Sequence, residues 1–294
     1  MAVDTRPSPN HPPGDSTITG LDALELAGRR QRRSLGQRAW AATWPKLVAV
    51  AIVLLAWQLV FWSGWKDEWV LPSPSEVGAE LWRMVQTPHL WHAIATTLRR
   101  GIFGFAVAVV IGGAVGIVVS RSRVLRAGIG SMITGLQTMP SIAWFPLAIV
   151  LFQLTESAIF FVIVLGAAPS IANGVLAGVD YVPPLLLRAG RNIGARGVNL
   201  YRFVIAPAAL PAIVAGLKQG WAFSWRSLMA GEILVAIANR PALGTQLEIL
   251  RGLNDSAGVI AVMVVIFVIG VGVDAAFTRA DRMVRERWGV LDTA

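Results

Sequence analysis

Three charged residues, Lys218, Arg226 and Glu232, stand inside one long apolar stretch, residues 210–238. Each would cost about 2.5–3.5 kcal/mol to insert into a bilayer as part of a helix, so each has to meet an aqueous cavity, a counter-charge or a polar partner. At about 100° per residue, Lys218, Trp221, Trp225, Met229 and Glu232 fall within a stripe about 80° wide, and Arg226 lies about 80° from Lys218 on its other side. The stripe and Arg226 are candidate lining for a pathway through a membrane, and a guanidinium near the middle of the span can grip an anion through two hydrogen bonds at once. Ser141 and Trp144, beside Pro140, join that candidate lining, because a proline-broken helix frees carbonyls that must find partners. The same residues admit a purely structural reading: Lys218 snorkels to one interface, Glu232 reaches the other, and Arg226 pairs with a carbonyl or carboxylate in a seam between two copies.

Other chemistries lack their residues. The chain has no Cys, so disulfides, thiolate metal sites and thiol nucleophiles are excluded. His11, His89 and His92 lie outside every apolar run, and the His89/His92 pair supplies two ligands where a metal site needs at least three. A phosphate-cradling loop requires Gly-Lys-Ser/Thr, and no Gly-Lys pair occurs, so any ATP hydrolysis must come from another subunit. An intramembrane hydrolase would need a Gly-x-Ser-Gly nucleophile with a His, or an Asp pair, in the spans, and neither is present. No catalytic residue, metal or cofactor is therefore expected.

The elements that must position these residues are membrane spans. Of 294 residues, 55% are hydrophobic and 15% charged, against roughly 25% charged in a soluble domain, and the mean hydropathy is +0.60. Six stretches are long enough to cross a bilayer: residues 47–65 with Trp at both ends, 98–120, 124–154, 158–179, 210–238 and 257–277. The second carries Gly112 and Gly116, a face for close helix contact. The third is too long for one straight span and contains Pro140 and Pro146, so it should be kinked, tilted or broken.

Six spans place both termini on one side. Only Lys66, Arg83, Arg240 and Arg251 fall in the alternate set of connecting segments, and Arg99, Arg100, Lys218 and Arg226 lie within or at the edge of spans. The other 18 of the 26 Lys and Arg share the side of the termini, which the positive-inside rule assigns to the cytoplasm. The net charge of +9 is thus topological, and nucleic acid is not an expected partner.

Between spans four and five the chain reads Arg188-Ala189-Gly190-Arg191-Asn192-Ile193-Gly194, then nine residues, then Val204-Ile205-Ala206-Pro207. Residues 185–193 favour a short helix, Gly194 and Gly197 permit a sharp reversal, and Pro207 opens the next helix, so two short helices at an angle are predicted. This segment resembles the loop signature of binding-protein-dependent ABC transporter permeases, E-A-A-x-x-x-G, nine residues, I-x-L-P. Ala189, Gly194 and Pro207 are identical, Val204 is conservative, Ala206 is smaller, and Arg188 stands where the family most often has Glu. Leu71-Pro72-Ser73-Pro74-Ser75-Glu76-Val77, Pro140-Ser141-Ile142-Ala143-Trp144-Phe145-Pro146 and Ala230-Gly231-Glu232 look like the nitrate, sulfonate and taurine branch, aliphatic sulfonate permeases above all. The likeness covers about residues 45–285.

The resemblance implies an all-α, six-span polytopic membrane protein with a type I ABC importer permease-like core. It implies a coupling loop over about 180–208 in which Arg188, Ala189, Gly190, Gly194, Val204 and Pro207 meet an ATPase. It implies as partners a second permease copy, two ABC ATPase subunits, an extracytoplasmic solute-binding protein and membrane lipid, in a bacterial plasma membrane. The expected substrate is a small organic anion, an aliphatic sulfonate first, with nitrate or taurine as alternatives. The expected organisation is a cytoplasmic tail over 1–44 with a short amphipathic helix near 20–35, a permease domain over 45–280 and a cytoplasmic tail over 281–294. A stand-alone secondary transporter using the charged fifth span is the rival reading. Internal repeats would favour that rival, and none relates the two halves.

Overall fold

The computed structural model describes residues 35–287, and every regular element among them is helical. The helix expected near 20–35 lies almost wholly outside the described residues. The chain divides at Leu59/Val60 into two compact units. The first contains most of helix α1, Leu35–Trp62, which begins earlier than the expected boundary at residue 44.

The second unit opens with an amphipathic helix, α2, Pro74–Val85. Its start is written in Ser73-Pro74-Ser75-Glu76: the Ser73 hydroxyl accepts from the Glu76 N–H at 3.2 Å, and the Glu76 carboxylate accepts from the Ser73 N–H at 2.8 Å. This is a capping box with Pro at the first helical position, where its missing N–H costs nothing. Helix α3, Pro88–Ser120, has 33 residues. At about 1.5 Å per residue it exceeds the ~30 Å hydrocarbon layer, so its first turns extend beyond the lipid core.

The third apolar stretch is broken. Helix α4, Arg123–Thr138, and the Ser141–Phe152 segment ending in α5, Phe145–Phe152, meet at 101°. Pro140 sets the break, since the residue before a proline is pushed out of helical geometry, and Met139 is extended at φ −76°, ψ 128°. Pro146 lies in the first turn of α5, where proline is tolerated.

The core is helix α6, Glu156–Asp180, covered on both sides along most of its length. Helix α3 lies parallel to it, with Gly104 against Ile163, Gly112 against Ala168 and Gly116 against Val175. A Cβ at Gly112 would sit 2.5 Å from the Ala168 carbonyl, and one at Gly116 2.8 Å from the Val175 Cβ, so the expected small-residue face is where the backbones close in. Helix α9, Ala206–Leu234, packs antiparallel on the other side, with Gly216 against Gly174 and Gly220 against Ile171.

Because α3 and α6 are parallel, the segment joining them must traverse the bundle. Arg126, at the start of α4, pairs with Asp180 at the end of α6, and α5 finishes four residues before α6 begins. The bent pair therefore behaves as a broken span rather than a hairpin returning to its own side. Helix α7, Pro184–Asn192, and helix α8, Gly197–Leu200, occupy the α6–α9 loop. After α9, α10, Leu243–Gly252, caps the opposite end, and α11, Ser256–Arg287, returns along α9 and α2. Helix α11 thus continues through residues 281–287, which the sequence assigns to a tail. Among the described residues five straight helices are long and apolar enough to cross a membrane, and the bent pair brings the number to six.

Candidate functional site

Helix α9 carries most of the candidate pathway. Its stripe faces α11 across a cavity of about 620 Å³ lined by Lys218, Trp221, Trp225, Arg226 and Met229 on one wall and by Met263, Phe267, Gly270 and Asp274 on the other. Trp221 and Trp225 stack with centroids 6.1 Å apart, and Phe105 meets Trp221 edge-on at 5.3 Å. At one end Lys218 Nζ lies 3.2 Å from an Asp274 oxygen and donates to Thr278 at 2.9 Å. The Lys218 charge is therefore compensated within the chain.

Arg226 sits on the ridge between this cavity and a second one, of about 320 Å³, lined by Gln137, Thr138, Ser141, Trp144, Phe223 and Arg226 among others. The break at Pro140 turns Ser141 and Trp144 toward α9, and Gly166 makes room, since a Cβ there would lie 2.5 Å from the Ser227 hydroxyl and 3.4 Å from the Ser141 Cβ. Ser141, Trp144 and Arg226, distant in sequence, thus share one cavity. Arg226 is exposed, has no ion pair among the described residues, and lies with its Cζ 5.9 Å from the Phe223 ring. Beside it, Gln137 donates to Ser170 at 2.8 Å and accepts from Asn173 at 2.6 Å. This polar relay between α4 and α6 was not anticipated from sequence.

Glu232 departs from the stripe reading: it lines neither cavity. It is fully buried, and its carboxylate accepts from Arg100 at 3.2 Å, from Thr97 at 2.8 Å and from the Gly244 N–H at 3.2 Å. Arg100, itself 2% exposed, also donates to Glu156 at 3.0 Å, and Glu156 accepts from Arg240 at 2.8 Å. Thr97 accepts from the Leu243 N–H at 3.0 Å, so Thr97 and Glu232 together satisfy two of the free amides at the start of α10. Two arginines and two glutamates tie α3, α6, α9 and α10 together at the end away from the α6–α9 loop. A buried glutamate is affordable only when its lone pairs are filled in this way. Helical rotation alone placed Glu232 on the stripe, but another helix covers that end of the face.

The six loop residues form one compact element. Helix α7 ends with the Ala195 N–H donating to the Gly190 carbonyl at 2.9 Å and the Gly194 N–H to Arg191 at 3.0 Å. This termination needs a left-handed residue, supplied by Gly194 at φ +88°. Gly190 is buried, and a Cβ on it would lie 2.8 Å from Val204 Cγ2. Gly190 and Val204, at opposite ends of the motif, are thereby packing partners. The second predicted short helix is instead the extension of the next span: α8 runs through one wide turn, Tyr201–Ile205, into α9. There the Ala206 N–H reaches back five residues to Tyr201, leaving room for Pro207, which has no N–H and would crowd the carbonyl four residues earlier. Arg188 and Ala189 face outward beside exposed Leu185 and Ile193.

Residues 104–286 match the family of binding-protein-dependent transport system inner membrane components. The chain is 29% identical over 226 residues to the nitrate import permease protein NrtB of Synechocystis, covering 72% of this chain and 81% of that one. It is 30% identical to the taurine transport system permease protein TauC of Escherichia coli, covering 64% and 70% of the two chains, and 30% identical to the aliphatic sulfonates transport permease protein SsuC of the same organism, assigned putatively, covering 65% and 73%. Among solved structures, the inward-facing MetNI methionine ABC transporter superposes with a TM-score of 0.54 at 24% identity over 66% of this chain and 94% of that one, a likeness of fold. The chain belongs to the binding-protein-dependent transport system inner membrane component family, as a multi-spanning permease subunit of an ABC-type importer for a small solute.

Proposed function

We propose that this permease carries a small organic anion, an aliphatic sulfonate, inward through a homodimer driven by two ATPase subunits and supplied by an extracytoplasmic solute-binding protein. The observation that carries the reading is Arg226: an exposed guanidinium with no ion pair among the described residues, on the ridge between two cavities, flanked by Ser141, Trp144 and Trp225. A guanidinium offers parallel N–H donors that match two sulfonate oxygens, and the Trp faces accept the short alkyl chain. Lys218 and Trp221 complete the wall toward the α6–α9 loop, while Glu232 serves as a brace. Both termini are cytoplasmic in this reading, with the basic loop containing Arg188, Ala189, Gly190, Gly194, Val204 and Pro207 docking on the ATPase in a bacterial inner membrane.

The likeness to the nitrate import permease favours a second reading, in which the anion is nitrate. One experiment separates the two. ATP hydrolysis by the complex in nanodiscs is measured with its binding protein across sulfonates, taurine and nitrate. Stimulation by alkanesulfonates, lowered by Arg226→Ala at normal assembly, supports the proposal. Stimulation by nitrate alone supports the second reading, and uptake that proceeds without the ATPase overturns both.

A further inference from the structure

We infer that a small oxoanion is received, before it enters the spans, at a cationic pocket formed by His92, Thr96, Arg99, Asn239 and Arg240. These residues line a cavity of about 510 Å³ at the end of the bundle away from the α6–α9 loop. His92, Thr96 and Arg99 stand at i, i+4 and i+7 on one face of α3, and the loop between α9 and α10 closes over them. Asn239 holds that loop in a left-handed turn at φ +59°, a conformation Asn tolerates, which brings Asn239 and Arg240 to the same wall.

The charge balance points to an anion. Arg100 and Arg240 are compensated by Glu232 and Glu156, whereas Arg99 is exposed and has no ion pair among the described residues. No acidic side chain lines the pocket. Arg240 commits one terminal nitrogen to Glu156 and keeps further N–H groups for a ligand. The Thr96 hydroxyl donates to the His92 carbonyl at 2.9 Å, so the donors are the two guanidinium groups, the Asn239 amide and the His92 ring N–H. A cleft lined by one sign of charge concentrates its counter-ion. The choice of a solute sulfonate over a lipid phosphate rests on the anion-import reading above.

The test uses the permease–ATPase complex in phosphatidylcholine nanodiscs, without binding protein, and the ¹⁹F signal of trifluoromethanesulfonate as probe. Because Arg226 itself is read as a sulfonate contact, the pocket is isolated in the Arg226→Ala complex. Line broadening is expected to remain there, to weaken about tenfold in affinity when Arg99→Gln is added, the loss of one charge-assisted contact, and to be largely restored when Arg99→Lys takes its place. Broadening already lost in Arg226→Ala, or undiminished in affinity when Arg99→Gln is added to it, overturns the pocket while leaving sulfonate import standing. Broadening abolished when phosphatidylglycerol is added to the nanodiscs assigns the pocket to lipid phosphate and overturns the solute assignment. If Arg99→Gln weakens binding in the Arg226→Ala complex but no sulfonate ever stimulates ATP hydrolysis, the pocket stands and the sulfonate reading falls.

Discussion

At the scale of single residues, Arg99 and Arg100 show how one step of helical rotation separates two functions. Arg100, Gly104, Ala108, Gly112 and Gly116 are spaced by four and continue one ridge, so Arg100 shares the packing face of α3 and has to be paired inside the protein. Arg99 lies about 100° away and stays exposed. That spacing is visible in the sequence, although the identity of the partners is not, because Glu156 and Glu232 lie 56 and 132 residues further on. Arg100→Met is expected to destabilise the permease by about 3–5 kcal/mol, since it strands the buried Glu232 carboxylate. Glu232→Leu, by contrast, leaves Arg100 its Glu156 partner and should cost about 1–3 kcal/mol for the unpaired Thr97 and Gly244 donors. The double substitution Arg100→Met with Glu232→Leu should lose clearly less than the sum of the single substitutions Arg100→Met and Glu232→Leu, and a double-mutant cycle on thermal unfolding in detergent checks this. Strict additivity would mean that the two side chains do not depend on each other.

At the scale of elements, small residues decide which helices touch. The backbones of α6 and α9 meet at Gly174 and Gly216, where an added Cβ would stand 2.6–2.7 Å from the opposite Cα. Gly216→Leu should therefore separate these helices and abolish a monodisperse permease on size-exclusion chromatography, whereas Gly113→Leu, where a Cβ meets nothing within 4 Å, should be tolerated. In the loop, Gly190→Ala is expected to cost about 1–3 kcal/mol by overpacking against Val204. Adding Val204→Ala should recover most of that loss, as read from the unfolding midpoint and from co-purification of the ATPase. The loop motif was legible because Gly194 and Gly197 answer a local demand, a positive φ. The wide turn at 201–205 was not, because it reconciles Pro207 with a helix that the packing of Leu200 and Ile205 beneath α7 keeps continuous.

At the scale of the whole molecule, charge asymmetry and coupling are the testable features. A reporter active only in the cytoplasm, fused after Ala294, should be active, and the same reporter inserted in the segment containing Lys66 should be silent; the reverse pattern would invert the topology. Arg188 is exposed and has no ion pair among the described residues, so docking on an ATPase would place it against an acidic residue of that subunit. Arg188→Glu is accordingly expected to reduce substrate-driven ATP hydrolysis without altering the assembly of the membrane domain. Undiminished hydrolysis in that variant would remove Arg188 from the coupling path.

Span number, the broken third span, the small-residue faces and the glycine-terminated loop helix follow from local chemistry: hydropathy over about 20 residues, proline geometry and the φ that only glycine adopts cheaply. These depend on neighbours within a few residues, so the chain states them directly. Tertiary packing alone decided that Glu232 leaves the pathway face for a buried pair, that Ser141 and Trp144 share a cavity with Arg226, and that Arg99 and Arg240 line one pocket. Each joins residues separated by scores of positions, and in a bilayer the partner of a polar group is chosen by which helices lie side by side rather than by the residue's own face.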